Sequence, residues 1–130
     1  HEHSPLVKLF FCLRHLPNQS LEEGQLYWRT NHGPLIRGVS QGFRMQRYLQ
    51  VHYMNDIPGI EAMKAARGTV TPPYAGHAEA WFNRADLMAM NDIPEARRAM
   101  EIAVEDEKIF IDFQRSTGFI GKEHTFIDRR

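Results

Sequence analysis

Val7-Lys8-Leu9-Phe10-Phe11-Cys12-Leu13-Arg14, followed by Pro17-Asn18-Gln19 and then Ser20-Leu21-Glu22-Glu23, decides the fold class. The first segment is short, apolar and β-rich, and the proline and asparagine after it mark a turn, so a strand is predicted to end near His15. Ser20 and Glu23 make the S-x-x-E capping box. The hydroxyl accepts from a free amide of the first helical turn, and the glutamate returns to the Ser20 amide. A strand passing at once into a capped helix opens a β-α-β unit.

The helix runs through Tyr27 and Trp28 until Gly33-Pro34. The ring of Pro34 removes a donor and biases Gly33 away from helical angles, which places His32 at a break or kink. Phe43 to Tyr53 reads as a strand with Arg44, Gln46, Tyr48, Gln50 and His52 on one face and Met45, Arg47, Leu49 and Val51 on the other. Asp56 is the N-cap candidate of a short helix that stops at Gly68, and Thr71-Pro72-Pro73-Tyr74-Ala75-Gly76 reads as a loop. Together residues 55–75 look like an insertion between two strands. His77 to Phe82 follows as a strand, with His77, Glu79 and Trp81 facing one way and Ala78, Ala80 and Phe82 the other.

A helix from Arg84 is renewed at Asn91-Asp92-Ile93-Pro94, where Ala96, Ala99, Met100, Ala103 and Val104 form one stripe. Asn-Asp-Ile-Pro also stands at 55–58, and both copies read as the same helix-starting chemistry. A last strand, Phe119 to Ile127, closes the chain. The order β-α-β-(insert)-β-α-β predicts an α+β fold, the ferredoxin-like split βαβ (βαββαβ) with a four-stranded antiparallel sheet. Residues 1–130 form one domain, with 1–5 expected as a disordered tail. Helices cover one face of such a sheet, and the other face is expected to meet a second copy in a homodimer.

Composition agrees. In 130 residues, 16 Lys+Arg balance 16 Asp+Glu, so charge points to no nucleic-acid and no membrane partner. The single cysteine, Cys12, excludes an intramolecular disulfide and a Cys-rich zinc site and suits a reducing, cytoplasmic setting. No apolar run approaches the ~18 residues of a membrane helix, and the start has no signal-peptide pattern. No phosphate loop, H-E-x-x-H pair or G-x-S-x-G elbow occurs, so no metal and no motif-bound nucleotide is expected. The 7 histidines are the residue type whose charge changes near neutral pH and so the one to follow, with the terminal His1 and His3 set aside from the functional argument.

Tyr27-Trp28-Arg29-Thr30-Asn31-His32-Gly33-Pro34-Leu35 resembles the Y-W-x-x-x-H-x-P-L signature of the EthD family, within the dimeric α+β barrel superfamily. Arg47-Tyr48-Leu49-Gln50-Val51-His52 resembles its R-Y-x-Q-x-H strand, and Arg67-Gly68 through Pro73-Tyr74 its insertion. Ala78-Glu79-Ala80-Trp81-Phe82 is similar to its A-E-x-W-F strand. Glu105-Asp106-Glu107, Phe110-Ile111-Asp112 and Glu123-His124 match its closing segment. The resemblance implies a dimeric α+β barrel with a pocket between sheet and helices. It also implies cofactor-free chemistry on hydrophobic ring compounds: decarboxylation, oxygenation or isomerisation.

His32 and His52 match the family's helix and strand histidines. A neutral imidazole can take a proton near pH 7 and return it elsewhere, which suits enolisation, decarboxylation or elimination on a phenolic or β-keto substrate. Tyr48, four residues before His52 on one face, is placed to orient a substrate oxygen or the imidazole. The bland alternative for His32 is a bond that seals the helix end. Glu79 is a candidate carboxylate partner for an imidazole, or else a salt-bridge or dimer contact. Tyr27, Trp28, Met45, Trp81, Phe110 and Phe113 are candidate walls of an aromatic pocket as well as candidate core. Met63 and Tyr74 are candidates for a lid. The expected function is therefore a small cofactor-independent lyase or decarboxylase of a hydrophobic aromatic or polyketide-like metabolite, with His32, His52 and Tyr48 as catalytic groups. A cofactor-free monooxygenase or isomerase and a non-catalytic binding protein are the alternatives. Which strand face lines the pocket stays open at this level.

Overall fold

A short, nearly continuous apolar run interrupted only by Lys8 forms Leu6–Leu13, the first strand, β1, of a computed structural model that describes residues 6–130. The expected tail 1–5 lies outside the described residues. Helix α1 (Leu21–Tyr27) starts at the capping box: Glu23 N–H donates to Ser20 Oγ at 3.0 Å and Ser20 N–H donates to Glu23 Oε1 at 3.1 Å. Then come α2 (Gly33–Phe43), β2 (Met45–His52), α3 (Ile60–Arg67), β3 (Gly76–Asn83), α4 (Arg84–Met88), α5 (Pro94–Glu107) and β4 (Thr117–Gly121). The four strands pair antiparallel in the order β2-β3-β1-β4, so the α+β, ferredoxin-like arrangement is observed.

Helices α2 and α5 lie on one face. Ala96, Ala99 and Ala103 of α5 pack with Ile36 and Phe43 of α2 and with Ala80 and Phe82 of β3. Alanines allow this close approach, and Gly42 extends it: a Cβ there would stand 3.3 Å from the Glu95 carbonyl oxygen. A second core cluster joins Leu13, Trp28, Ala75, Phe110 and Ile111 at the other end of the sheet. Phe82, Trp28 and Phe110 are the largest side chains taken fully out of water.

Four sequence expectations are corrected. The helix does not break at Gly33-Pro34. A π-helical turn, Trp28–His32, joins α1 to α2, with Gly33 N–H bonded to the Trp28 carbonyl. Pro34 then sits in the first turn of α2, where an amide is dispensable. In β2 the register shifts between Met45, which faces Phe82, and Arg47, which faces Trp81. This bulge moves Met45 onto the helix-covered side with Tyr48, against the period-2 split.

The two Asn-Asp-Ile-Pro copies behave differently. At 91–94 the proline begins α5, but at 55–58 the segment is a turn, and α3 starts after Gly59 (φ +113°) instead of being capped by Asp56. The 55–58 copy is exposed throughout, with no core to hold its apolar side chain. Finally, β4 ends at Gly121 opposite Lys8; since β1 begins at Leu6, even full pairing in this register would stop at Glu123, short of the expected Ile127.

Alternation assigns the faces. Leu9, Tyr48, Ala80 and Phe82 point to the helices, and Lys8, Phe10, Arg47, Glu79 and Trp81 to the open side. Lys8 is only 8% exposed there. Its Nζ lies 3.2 Å from Glu79 Oε1, 2.7 Å from Glu123 Oε2 and 4.0 Å from the Trp81 ring centroid.

Candidate active site

The π turn is the element that builds the site. In an α-helix Tyr27 and His32, five apart, would stand about 140° from each other around the axis. The wider turn brings them to one side, where both reach Asp106 at the end of α5. His32 Nδ1 is 2.7 Å from Asp106 Oδ2, and Tyr27 donates its hydroxyl to Asp106 Oδ1 at 2.6 Å. That bond, before burial, pushes the Tyr27 phenol up to about 12, so it stays protonated and donating. His32 is 3% exposed. Because the carboxylate accepts, Nδ1 carries the proton, and Nε2 is the nitrogen available for proton transfer. Glu107 Oε2 lies 3.6 Å from Nε2. Phe110 packs against His32 at 5.1 Å and Tyr27 at 5.5 Å and keeps water from the dyad.

Tyr48 reaches the same space from β2. Gln50 Nε2 donates to the Trp28 carbonyl at 2.9 Å and to Tyr48 Oη at 3.0 Å, and Gln50 Oε1 lies 2.7 Å from His52 Nε2. A carbonyl only accepts, so the orientation of the Gln50 amide is fixed and His52 Nε2 must donate to it. Tyr48, accepting from Gln50, has its own proton free to donate. Burial chiefly raises the Tyr48 phenol above its ordinary value; the bonds from Gln50 and Trp28 oppose this and the Glu107 charge adds to it. It is therefore a neutral donor at pH 7. Two glycines make room: a Cβ on Gly33 would stand 3.2 Å from Gln50 Nε2, and one on Gly76 would stand 2.9 Å from the Trp28 ring.

Between the sheet and the helices lies a cavity of about 600 Å³. Its walls include Trp28, Met45 and Ala80, and its polar groups include His32, Tyr48 and Glu107. Four predicted site residues thus meet there: His32, Tyr48, Trp28 and Met45. Tyr27 and Phe110 stand behind them, as partners of Asp106 and His32. His52 does not enter the cavity. It stacks on the far face of Trp28, with centroids 4.3 Å apart and planes at 6°, and lines a separate depression with Arg29 and Gln25. Burial, then the charge of Arg29, lowers its pKa.

Glu79 and Trp81, expected as pocket residues, lie on the open face of the sheet with Lys8, because strand alternation turns them away from Ala80. Phe113 is 40% exposed and packs on Phe11 at 6.4 Å, outside the cavity lining. Of the lid candidates, Met63 is exposed, whereas Tyr74 is pinned under the Arg14 guanidinium at 4.1 Å. Arg14 also donates to the carbonyls of Pro72 and Pro73, which ties that loop to β1.

Sequence reasoning missed Asp106, Glu107 and Gln50 as site residues. A signal existed: Glu105-Asp106-Glu107 puts three acids in the last turn of α5, where the helix dipole disfavours them, so a compensating partner was called for. Among the described residues, no group of three or more His, Cys, Asp or Glu is arranged to hold a metal ion, and no helix is long and apolar enough to cross a membrane.

Comparison with solved structures finds a dimeric protein of unknown function with a ferredoxin-like fold from Bacteroides fragilis NCTC 9343, with a TM-score of 0.55 and 13% identity. The match covers 92% of this chain and 98% of that one, and at such identity it speaks for the fold. No curated protein matches. The family model for the EthD domain matches residues 16–114, a span that holds the capped helix, the π turn, the Tyr48 strand and Asp106. By that match over most of its length, this chain belongs to the EthD family.

Proposed function

We propose that this protein is a cofactor-independent enzyme that acts on a hydrophobic ring compound by acid/base chemistry, with decarboxylation of a β-keto or phenolic acid as the leading reaction. The reading rests on one observation: a buried imidazole, oriented by Asp106 at 2.7 Å, presents Nε2 to a cavity that also holds a neutral phenol donor. In such a reaction Tyr48 donates to the substrate carbonyl oxygen as the carbon–carbon bond to the carboxylate breaks and carbon dioxide leaves. The electron pair moves into the enolate, and protonated His32 returns a proton to carbon through Nε2. Solvent then reprotonates His32. His52 acts from outside, as a positioning residue that holds the Gln50 amide and through it Tyr48.

The test is a panel of phenolic and β-keto aromatic acids assayed for carbon dioxide release and oxygen uptake. His32→Ala is expected to cut turnover by about 10²–10⁴-fold, the range of a lost general acid/base. Full turnover by a folded His32→Ala protein sinks the reading. Oxygen uptake without carbon dioxide release replaces the decarboxylase by a monooxygenase.

A second proposal concerns assembly: the protein works as a homodimer through the open face of the sheet. Supporting it are Val51 and Phe119, 46% and 55% exposed on the same face as the nearly buried Lys8. A sedimentation mass of one chain at micromolar concentration would refute it.

A further inference from the structure

Beside the cavity runs a groove of about 410 Å³ between α2 and the edge strand β2. It shares Ile36, Met45 and Tyr48 with the cavity, so the two spaces adjoin across these side chains. The charged residues that line it are all cationic, Arg29, Arg37 and Arg47, and no Asp or Glu accompanies them. In a chain whose net charge is zero, that is local segregation of charge. Arg47 has its guanidinium over the Trp81 ring, at 4.9 Å, on the open side of the sheet.

Arg29 and Arg37 are different. Neither Arg29 nor Arg37 has a carboxylate partner among the described residues, in contrast to Lys8, Arg44, Lys64, Arg98 and Lys108; Arg84 and Arg97 are unpaired as well, and what sets Arg29 and Arg37 apart is that both line the groove. Both are exposed, and Gly33 lies between them on the groove wall without a side chain to fill it. The charge of Arg29 also reaches the neighbouring depression, where it helps to depress the basicity of His52. A planar guanidinium fork matches the two oxygens of a carboxylate, and an edge strand adds unpaired backbone donors.

We propose that the ring compound of this enzyme carries a carboxylate that survives the reaction, and that Arg29 and Arg37 hold it in the groove while the ring enters the cavity past Tyr48. This rests on the reading of the cavity as a ring-binding site. The arrangement keeps the anion at the solvated end, where it costs little desolvation, and leaves the apolar cavity to the ring. The anchored carboxylate is not the one lost in a decarboxylation, because pairing with guanidinium stabilises the ionised starting group.

The experiment measures equilibrium binding of 2-naphthoate and of its methyl ester in the Trp81→Phe protein, in which Trp28 is the single fluorescent indole. The acid is expected to bind about tenfold or more tightly than the ester, and only the acid should weaken as salt rises. Arg29→Gln/Arg37→Gln should bring the acid to the level of the ester without changing the ester, and Arg29→Lys/Arg37→Lys should restore part of the difference. Equal affinity of acid and ester, or unchanged acid binding by the glutamine variant, overturns the proposal and leaves the cavity reading intact. Failure of both probes to bind overturns the two together.

Discussion

The two faces of the sheet each bury a charged or ionisable side chain, and they treat it in opposite ways. On the open face Lys8 is saturated: Glu79, Glu123 and the Trp81 ring take up its ammonium group. On the helix-covered face His32 is satisfied at Nδ1 by Asp106, while Nε2 stands at the cavity with Glu107 at 3.6 Å. A saturated cation has no capacity left for a ligand and serves cohesion or assembly. An imidazole with one nitrogen fixed and the other at a void is arranged for proton transfer. Both faces carry aromatics and carboxylates, so residue type does not distinguish them. What distinguishes them is that the buried ammonium group is enclosed by its partners, whereas the buried imidazole lies on the wall of a cavity.

The sharpest way to break this contrast is Asp106→Asn. It keeps the shape but lets His32 adopt either tautomer, and turnover should fall by about 10²–10⁴-fold with little change in substrate affinity. An unchanged rate would mean that the dyad is structural and that the two faces do not differ in kind. Next in size is Glu79→Gln, which leaves Lys8 with one carboxylate in a nearly dry setting. Its expected cost is about 1–3 kcal/mol by urea unfolding, whereas turnover should be unaffected. Loss of activity with retained stability would move the chemistry to the open face.

Gln50→Leu comes third. It removes the donor to Tyr48 and the acceptor for His52, so kcat should drop several-fold through a loosened phenol, with a smaller effect on KM. Gln50→Glu should be worse, because the new carboxylate would accept the Tyr48 proton that the substrate needs. The smallest effect concerns pH. The folded pKa of His52 lies below the unfolded 6.5, so the unfolded chain takes the proton first. Stability from this residue is present above 6.5 and is lost as pH falls through the interval down to the folded value. His52→Gln should flatten that acid limb in a thermal-melt series, and an unaltered limb would assign it elsewhere.

Much of this was legible along the chain. The Ser20/Glu23 box, the strand that carries Tyr48 and the alanine stripe of α5 all follow from local rules, and the capping bonds and packing agree with them. The bulge at Met45 and the π turn at Trp28–His32 were not legible. Each inserts one residue into a regular repeat, and only the demand of neighbouring elements selects such an insertion. His52 illustrates the limit. Its shared face with Tyr48 was correctly inferred, yet the stacked Trp28 ring bars it from the cavity, and no period-2 argument contains that ring.

The chain pattern alone set the order of elements, the alternation of the strands away from the bulge at Met45 and the family, because hydrophobic period, caps and turn residues act over a few neighbours. The tertiary structure alone decided which face met the helices, which histidine reached the cavity and which acids served it. Asp106 is 74 residues from His32, and a contact across such a distance is set by how α5 packs against the π turn. The chain pattern on either side of it says nothing of that packing.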